Sequence, residues 1–297
     1  MKLFDGKKIQ QNILKELKIA IIRENLKLKL AVILIGEDEV SKIYIRLKKK
    51  AAERIGIGFE LYKYEPLNIE GVADQLQGEI IENKQNEILK KIIELNQRND
   101  ITGIIVQLPL PSSFDKNKII NAIAISKDVD GFHPENRRLF MEFVYNFEPV
   151  FPTAILMAAK EGTNHSLEGV RVAALVNSDT LGQILKLLFE KEGSDFKYLV
   201  RSVCSLGEAE NNLKLADVVI TACGCPGLLT GEMVRESAVV IDGGIYRAKD
   251  GKIVGDVERA SVEKKAYFLT PVLGGIGPLV IALLLKNVYL AAKTQTR

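Results

Sequence analysis

The 297-residue sequence is short of histidine, cysteine and net charge. Its two histidines, His133 and His165, and three cysteines, Cys204, Cys223 and Cys225, include no C-x-x-C pair. That scarcity argues against a zinc site. Three cysteines in so long a chain fit a reducing compartment, not a disulfide scaffold. With 41 basic against 38 acidic residues the formal net charge is only +3, so no global field draws nucleic acid. The opening MKLFDGKKIQ has no apolar signal region, and no uninterrupted apolar run approaches membrane-spanning length. Repeats and low-complexity tracts are missing as well. The expectation is a cytoplasmic protein without nucleic-acid or membrane partners. What is there, 47% hydrophobic and 27% charged residues, is the composition of an ordinary globular protein long enough for two domains.

Strand-like and helix-like runs alternate along the chain. LAVILIG (30–36) is a continuous apolar run ending in glycine, which predicts a buried parallel strand. A basic helix from about Ser41 to Arg54 follows, then a strand at GFELYKYE (58–65), helix over roughly 72–98, and a strand at GIIVQLPLP (103–111) stopped by prolines. Past DVDGFHPEN (128–136) the character changes: VRVAALV (170–176), FKYLVRSVC (196–204), ADVVITACG (216–224) and SAVVIDGG (237–244) are four apolar strands. They predict a doubly wound parallel unit of the dinucleotide-binding kind. A last apolar helix, 278–293, follows a glycine-rich turn, and the boundary between the halves falls near 137–150.

Six basic residues crowd the stretch SKIYIRLKKKAAERIG (41–56). Such a run ordinarily reads as a solvated face. Tyr44 and Lys48, however, sit four apart and share a helix face, a setting in which an ammonium pKa is open to lowering. Gln107 in VQLPLP reads by itself as a strand-end amide, and Asp130 in KDVDGF as an Asp-Gly turn. All three segments place polar groups at or just past the carboxyl end of an apolar strand, where open α/β sheets bind ligands.

Together, DGKKI (5–9), the Y-I-x-x-K-x-K-A-A helix, VQLPLP (106–111), KDVDGFHPEN (127–136) and TPVLGGIGP (270–278) resemble the bifunctional methylenetetrahydrofolate dehydrogenase/methenyltetrahydrofolate cyclohydrolase family, in the family's order and over essentially the whole chain. The resemblance implies an α/β protein of two domains: a folate-binding catalytic domain from residues 1–143 plus 277–297, and a Rossmann-like NADP-binding domain from 144–276. It implies oxidation of 5,10-methylenetetrahydrofolate and hydrolysis of the methenyl product to 10-formyltetrahydrofolate, by a homodimer. Tyr44 then stacks on the folate and Lys48 catalyses the hydrolytic step. Gln107 orients that lysine, Asp130 holds the pterin, and Gly274 and Gly275 let backbone approach the folate. The cofactor side falls on Val176, Asn177, Ser178, Gly182, Gly224 and Ile245.

The sequence departs from the family on that cofactor side. Where the nucleotide loop normally reads G-R-S-x-x-V-G, this chain has VNSDTLG (176–182), so Val176 replaces a glycine and Asn177 an arginine. PVFPTA (149–154) and RSVCS (201–205) also differ from the family pattern, and Leu273 stands where proline is usual. A β-branched residue at the phosphate approach is expected to be unfavourable, and the missing arginine is the kind of group that clamps a 2′-phosphate. The expectation is altered cofactor handling: weaker NADP, NAD as a second candidate, or compensation by Arg201. A cyclohydrolase that has lost the dehydrogenase, and a folate-binding protein without turnover, are the alternatives.

Overall fold

The computed structural model describes residues 1–67, 73–201, 206–248 and 250–295. In chain order the elements are β1 (Lys2–Leu3), α1 (Gly6–Arg23), β2 (Leu28–Ile35), α2 (Glu39–Ile55), β3 (Ile57–Tyr64), α3 (Asp74–Gln97), β4 (Gly103–Val106), α4 (Lys116–Asn121) and α5 (Pro134–Met141). They continue with α6 (Val150–Gly162), β5 (Arg171–Val176), α7 (Asp179–Lys191), β6 (Asp195–Val200), α8 (Leu206–Leu215), β7 (Val218–Ala222) and β8 (Val239–Asp242). The last are β9 (Tyr246–Arg247), β10 (Ile253–Val254), α9 (Arg259–Val262), β11 (Phe268–Leu269) and α10 (Ile276–Gln295). The chain divides into two compact units, Asn12–Pro149 with Ile281–Arg297, and Met1–Gln11 with Val150–Val280.

The Asn12–Pro149 unit is built on a parallel sheet of order β3-β2-β4. Its middle strand, LKLAVILI, is buried along nearly all its length, as a central strand covered on both faces must be. Ala31, Ile33 and Ile35 share one face by the two-residue alternation and pack with Ile88, Ile92 and Leu95 of α3. The strand expected over 103–111 is shorter than its apolar run: β4 ends at Val106, ahead of the prolines. α10 is long and apolar enough for a membrane span by length and composition alone, but 61% of that stretch is buried inside the protein, as in a core helix.

The other unit carries a six-stranded sheet, β6-β5-β7-β8-β11-β1, parallel throughout. From β5 the chain moves out to β6, then crosses back over to β7 on β5's other side. The strand order reverses there, and the gap between the carboxyl ends of β5 and β7 is the place where such sheets bind ligands. Four of these strands match the expected ones. β1 and β11 are two residues each, too short to show any periodicity in sequence. PVFPTA forms the start of α6, with Pro152 in its first turn, where no intrahelical N–H is lost. Beyond Arg201 the RSVCS segment, with Cys204, lies outside the described residues.

Gly182 is fixed by packing. A Cβ there would overlap the ring of Tyr198 on β6, so α7 lies against the sheet only because this position has no side chain. That is the packing task of the last glycine in a dinucleotide-binding loop.

Candidate functional site

α2 starts at Asp38, whose carboxylate accepts the Ser41 N–H at 2.7 Å, and then presents Ser41, Tyr44 and Lys48 on successive turns of one face. Lys48 is only 5% exposed. Its ammonium donates to Gln107 Oε1 at 2.9 Å, while Gln107 Nε2 donates to the Leu108 carbonyl at 2.7 Å. The second bond fixes which end of the amide faces the lysine, because only the oxygen can accept from it. Gln107 sits just past β4 and extends its ladder, donating its backbone N–H to Ile33 at 2.9 Å. The site is thus held by regular structure on both sides.

Burial pushes the Lys48 pKa down, and the nearby Asp130 carboxylate partly opposes that. Asp130 responds in the opposite sense. Burial raises its pKa to about 6, with Lys48 pulling it back and Asp128 pushing it further. Tyr44 is half-buried, and burial raises its phenol as well, which keeps the hydroxyl protonated. The neighbouring cations behave as a solvated face: Lys42 pairs with Glu37 and Glu39, and Lys49 with Glu53. Lys48 alone of these turns inward.

The segment carrying Asp130 is anchored on every side. Lys127 donates to the Arg98 and Leu95 carbonyls at 2.7 and 3.1 Å, capping the last turn of α3, which has no basic residue of its own. Buried Asp128 accepts from the Phe132 and His133 N–H groups and from Asn136. Asn287 of α10 donates to the Val129 and Glu148 carbonyls, both at 2.9 Å. Gln295 reaches the Thr102 and Ser126 carbonyls. None of these anchors, nor Ser41 with its long bond to the Leu108 carbonyl, stood out in sequence. Asn287 had a signal, an amide inside the apolar run ALLLKNVYLAA.

Tyr44, Lys48, Gln107 and Asp130 therefore belong to one unit, and the remaining expected site residues belong to the other. Val176 ends β5 with its side chain fully buried; it does not protrude into the loop, so the expected obstruction by a branched side chain does not arise. Asn177 donates its N–H to the Ala222 carbonyl at 3.1 Å, tying the ends of β5 and β7. Ser178 caps α7, its hydroxyl accepting from Leu181. The first-turn amides of such a helix lack intrahelical acceptors and favour an anion. Gly224 takes a left-handed φ of 67°, and its α-carbon faces the Ile245 carbonyl across otherwise open space.

Two buried aspartates brace these loops. Asp256 accepts the Cys223 and Cys225 N–H groups, each at 2.6 Å, and Asp242 accepts from Gly244, Asp256 and Val257. Burial raises Asp242 to about 6 and raises Asp256 too. Gly275 packs flush against the start of α1, where a Cβ on Gly6 would overlap the Gly275 carbonyl, and Gly274 has a φ of 99°.

Backbone and strand-end geometry thus suit a dinucleotide at the β5/β7 switch point. The side chains differ from a usual phosphate clamp: Asn177 is neutral, and Asp179, in the first turn of α7, is itself an anion.

Comparison with known proteins agrees with this division. Residues 4–130 match the family described as "Tetrahydrofolate dehydrogenase/cyclohydrolase, catalytic domain", and residues 149–296 match its "NAD(P)-binding domain". The chain is 40% identical to the bifunctional protein FolD of Exiguobacterium sibiricum over 98% of its own length and 99% of that protein's. It is 36% identical to that of Nautilia profundicola over 99% and 98%. Among solved structures, the Campylobacter jejuni FolD methylenetetrahydrofolate dehydrogenase/cyclohydrolase superposes with a TM-score of 0.83 at 35% identity, covering 99% of both chains. The Trypanosoma brucei enzyme, complexed with NADP cofactor and inhibitor, does so with a TM-score of 0.84 at 30% identity, covering 100% and 98%.

Proposed function

Because the chain belongs to the tetrahydrofolate dehydrogenase/cyclohydrolase family, we propose that it oxidises 5,10-methylenetetrahydrofolate to the 5,10-methenyl compound with NADP and hydrolyses that product to 10-formyltetrahydrofolate. The observation that carries the reading is the buried Lys48, held by Gln107 and facing the charge of Asp130. The nicotinamide of NADP, when bound, would supply the hydride acceptor for that oxidation. In the hydrolytic step Lys48, as a neutral amine, accepts a proton of the water attacking the methenyl carbon and returns a proton to N5 as the carbon–N5 bond breaks, leaving the formyl group on N10. Burial favours that neutral form, and Gln107 occupies one N–H so that the lone pair is aimed. An arginine would hold its charge and could not do this. Asp130, fixed by the anchors around it, is an acceptor for the pterin amino group and ring N–H.

Ser178, with the first-turn amides of α7, would hold the nucleotide phosphates, while Gly224 and Ile245 flank the nicotinamide. Residues 1–143 with 277–297 are assigned to folate and 144–276 to nucleotide in this proposal. The test has two arms. Supplied with methylenetetrahydrofolate and NADP, the protein should reduce NADP; supplied with the methenyl compound alone, it should hydrolyse it above the uncatalysed rate. Hydrolysis without oxidation would leave a cyclohydrolase only, and silence in both arms would sink the reading.

A cytoplasmic homodimer is the form proposed with this activity. Light scattering on the purified protein should return twice the 32.9 kDa chain mass, and a monomer at assay concentration would refute it.

A further inference from the structure

We propose that Arg201 is the residue that selects NADP over NAD, by binding the 2′-phosphate of the adenosine ribose. The inference rests on the nucleotide reading above and adds to it a charge that the nucleotide loop itself lacks. In the β5/β6 ladder Val176 pairs with Val200, and the next residue, Arg201, donates its backbone N–H to the Val176 carbonyl at 3.0 Å. Arg201 therefore stands at the carboxyl end of the second strand of the dinucleotide-binding unit, beside Asn177. At that strand end an acidic side chain bonds the two ribose hydroxyls of NAD, and an arginine nearby accommodates the phosphate of NADP.

The charges around it agree with the second case. Arg201 is exposed, and no ion pair or side-chain hydrogen bond ties it to another described residue. The groups that sense its charge, Asp256 and Cys223, lie at or near the carboxyl end of β7, so its field extends over the strand ends where the ligand binds. Asp256 does not neutralise it, being fully buried with both oxygens taken by the Cys223 and Cys225 amides. An acidic candidate for a ribose in the first turn of α7, Asp179, is engaged by the Tyr198 hydroxyl at 2.7 Å and by Gln183 at 2.6 Å. What remains is a guanidinium with no partner among the described residues, whose planar fork matches a phosphate better than a hydroxyl pair.

The test is a titration of NADP and of NAD against the full chain, its Arg201→Ala variant, and Arg201→Ala combined with Asn177→Arg. Arg201→Ala should weaken NADP by roughly ten- to a hundred-fold and NAD by less than about two-fold, the range for one charge-assisted bond. NAD binding doubles as the control for an intact fold. Adding Asn177→Arg should recover at least part of the NADP affinity. An NADP-to-NAD ratio unchanged by Arg201→Ala, including an equal loss of both nucleotides, would overturn the proposal. If the wild-type chain binds neither nucleotide, the nucleotide reading fails and Arg201's role goes with it, which is a separate and recognisable result.

Discussion

Lys48→Met should lower hydrolysis of methenyltetrahydrofolate by about a hundred- to ten-thousand-fold, the span that a positioned general base contributes. Methionine matches the lysine stem in length and needs no hydration, so at a position only 5% exposed it removes a desolvated amine without opening a cavity. The loss should fall on kcat, with binding of the folate still measurable by fluorescence. In the wild type, hydrolysis should rise with pH as Lys48 deprotonates, and burial places that rise below the ordinary lysine range. Lys49→Met is the internal control: its ammonium is exposed and only 3.8 Å from Glu53, a surface pair of little energetic consequence. Hydrolysis near the wild-type rate in Lys48→Met would remove the lysine from the mechanism.

Asp130→Asn should raise the folate dissociation constant by roughly ten- to over a hundred-fold, since a charged acceptor in a desolvated site supplies about 1.5–3 kcal/mol. The wild type carries a pH signature that the variant lacks. With the carboxyl at about 6, folate affinity should fall as pH drops through that value, whereas the asparagine variant should stay flat. Stability should move the other way. The native carboxyl holds a proton between its ordinary value of 3.8 and about 6, where the unfolded chain has released it, so its contribution to stability falls as pH rises through that window. Asp130→Asn should therefore leave the thermal transition at neutral pH no lower than that of the wild type. Isothermal titration across this range decides it, and equal affinities at neutral pH would exclude the pterin contact.

The α2 helix shows why part of the site was legible. The spacing of Tyr44 and Lys48 places both on one face whatever the tertiary structure, and the apolar run 30–36 needs two covered faces, so helix and strand follow from local rules, while the reactivity of Lys48 came only from the family resemblance. Gln107 and Asp130 needed the family resemblance, because alone each reads as an ordinary strand end or turn. The anchors could not be read. Lys127 to the Arg98 carbonyl, and Asn287 to Val129, join segments far apart in sequence, and no periodicity encodes a partner. Val176 shows the opposite error: the substitution was visible, but the direction of its side chain depends on the strand's phase in the sheet, which the sequence alone does not give.

The pairing of Lys2 with Phe268 and of Leu3 with Leu269 also bears on how this protein comes off the ribosome. Both compact units take residues from well-separated parts of the chain, Met1–Gln11 joining Val150–Val280 and Asn12–Pro149 joining Ile281–Arg297. Lys2 and Leu3 must wait as an unpaired edge until Phe268 and Leu269 have been synthesised, and the Asn12–Pro149 unit stays incomplete until α10 has been made. Contacts of such long sequence separation pay loop-closure entropy before they return any stability. A growing chain therefore carries an incomplete core in each unit until the segments beyond residue 268 have been made.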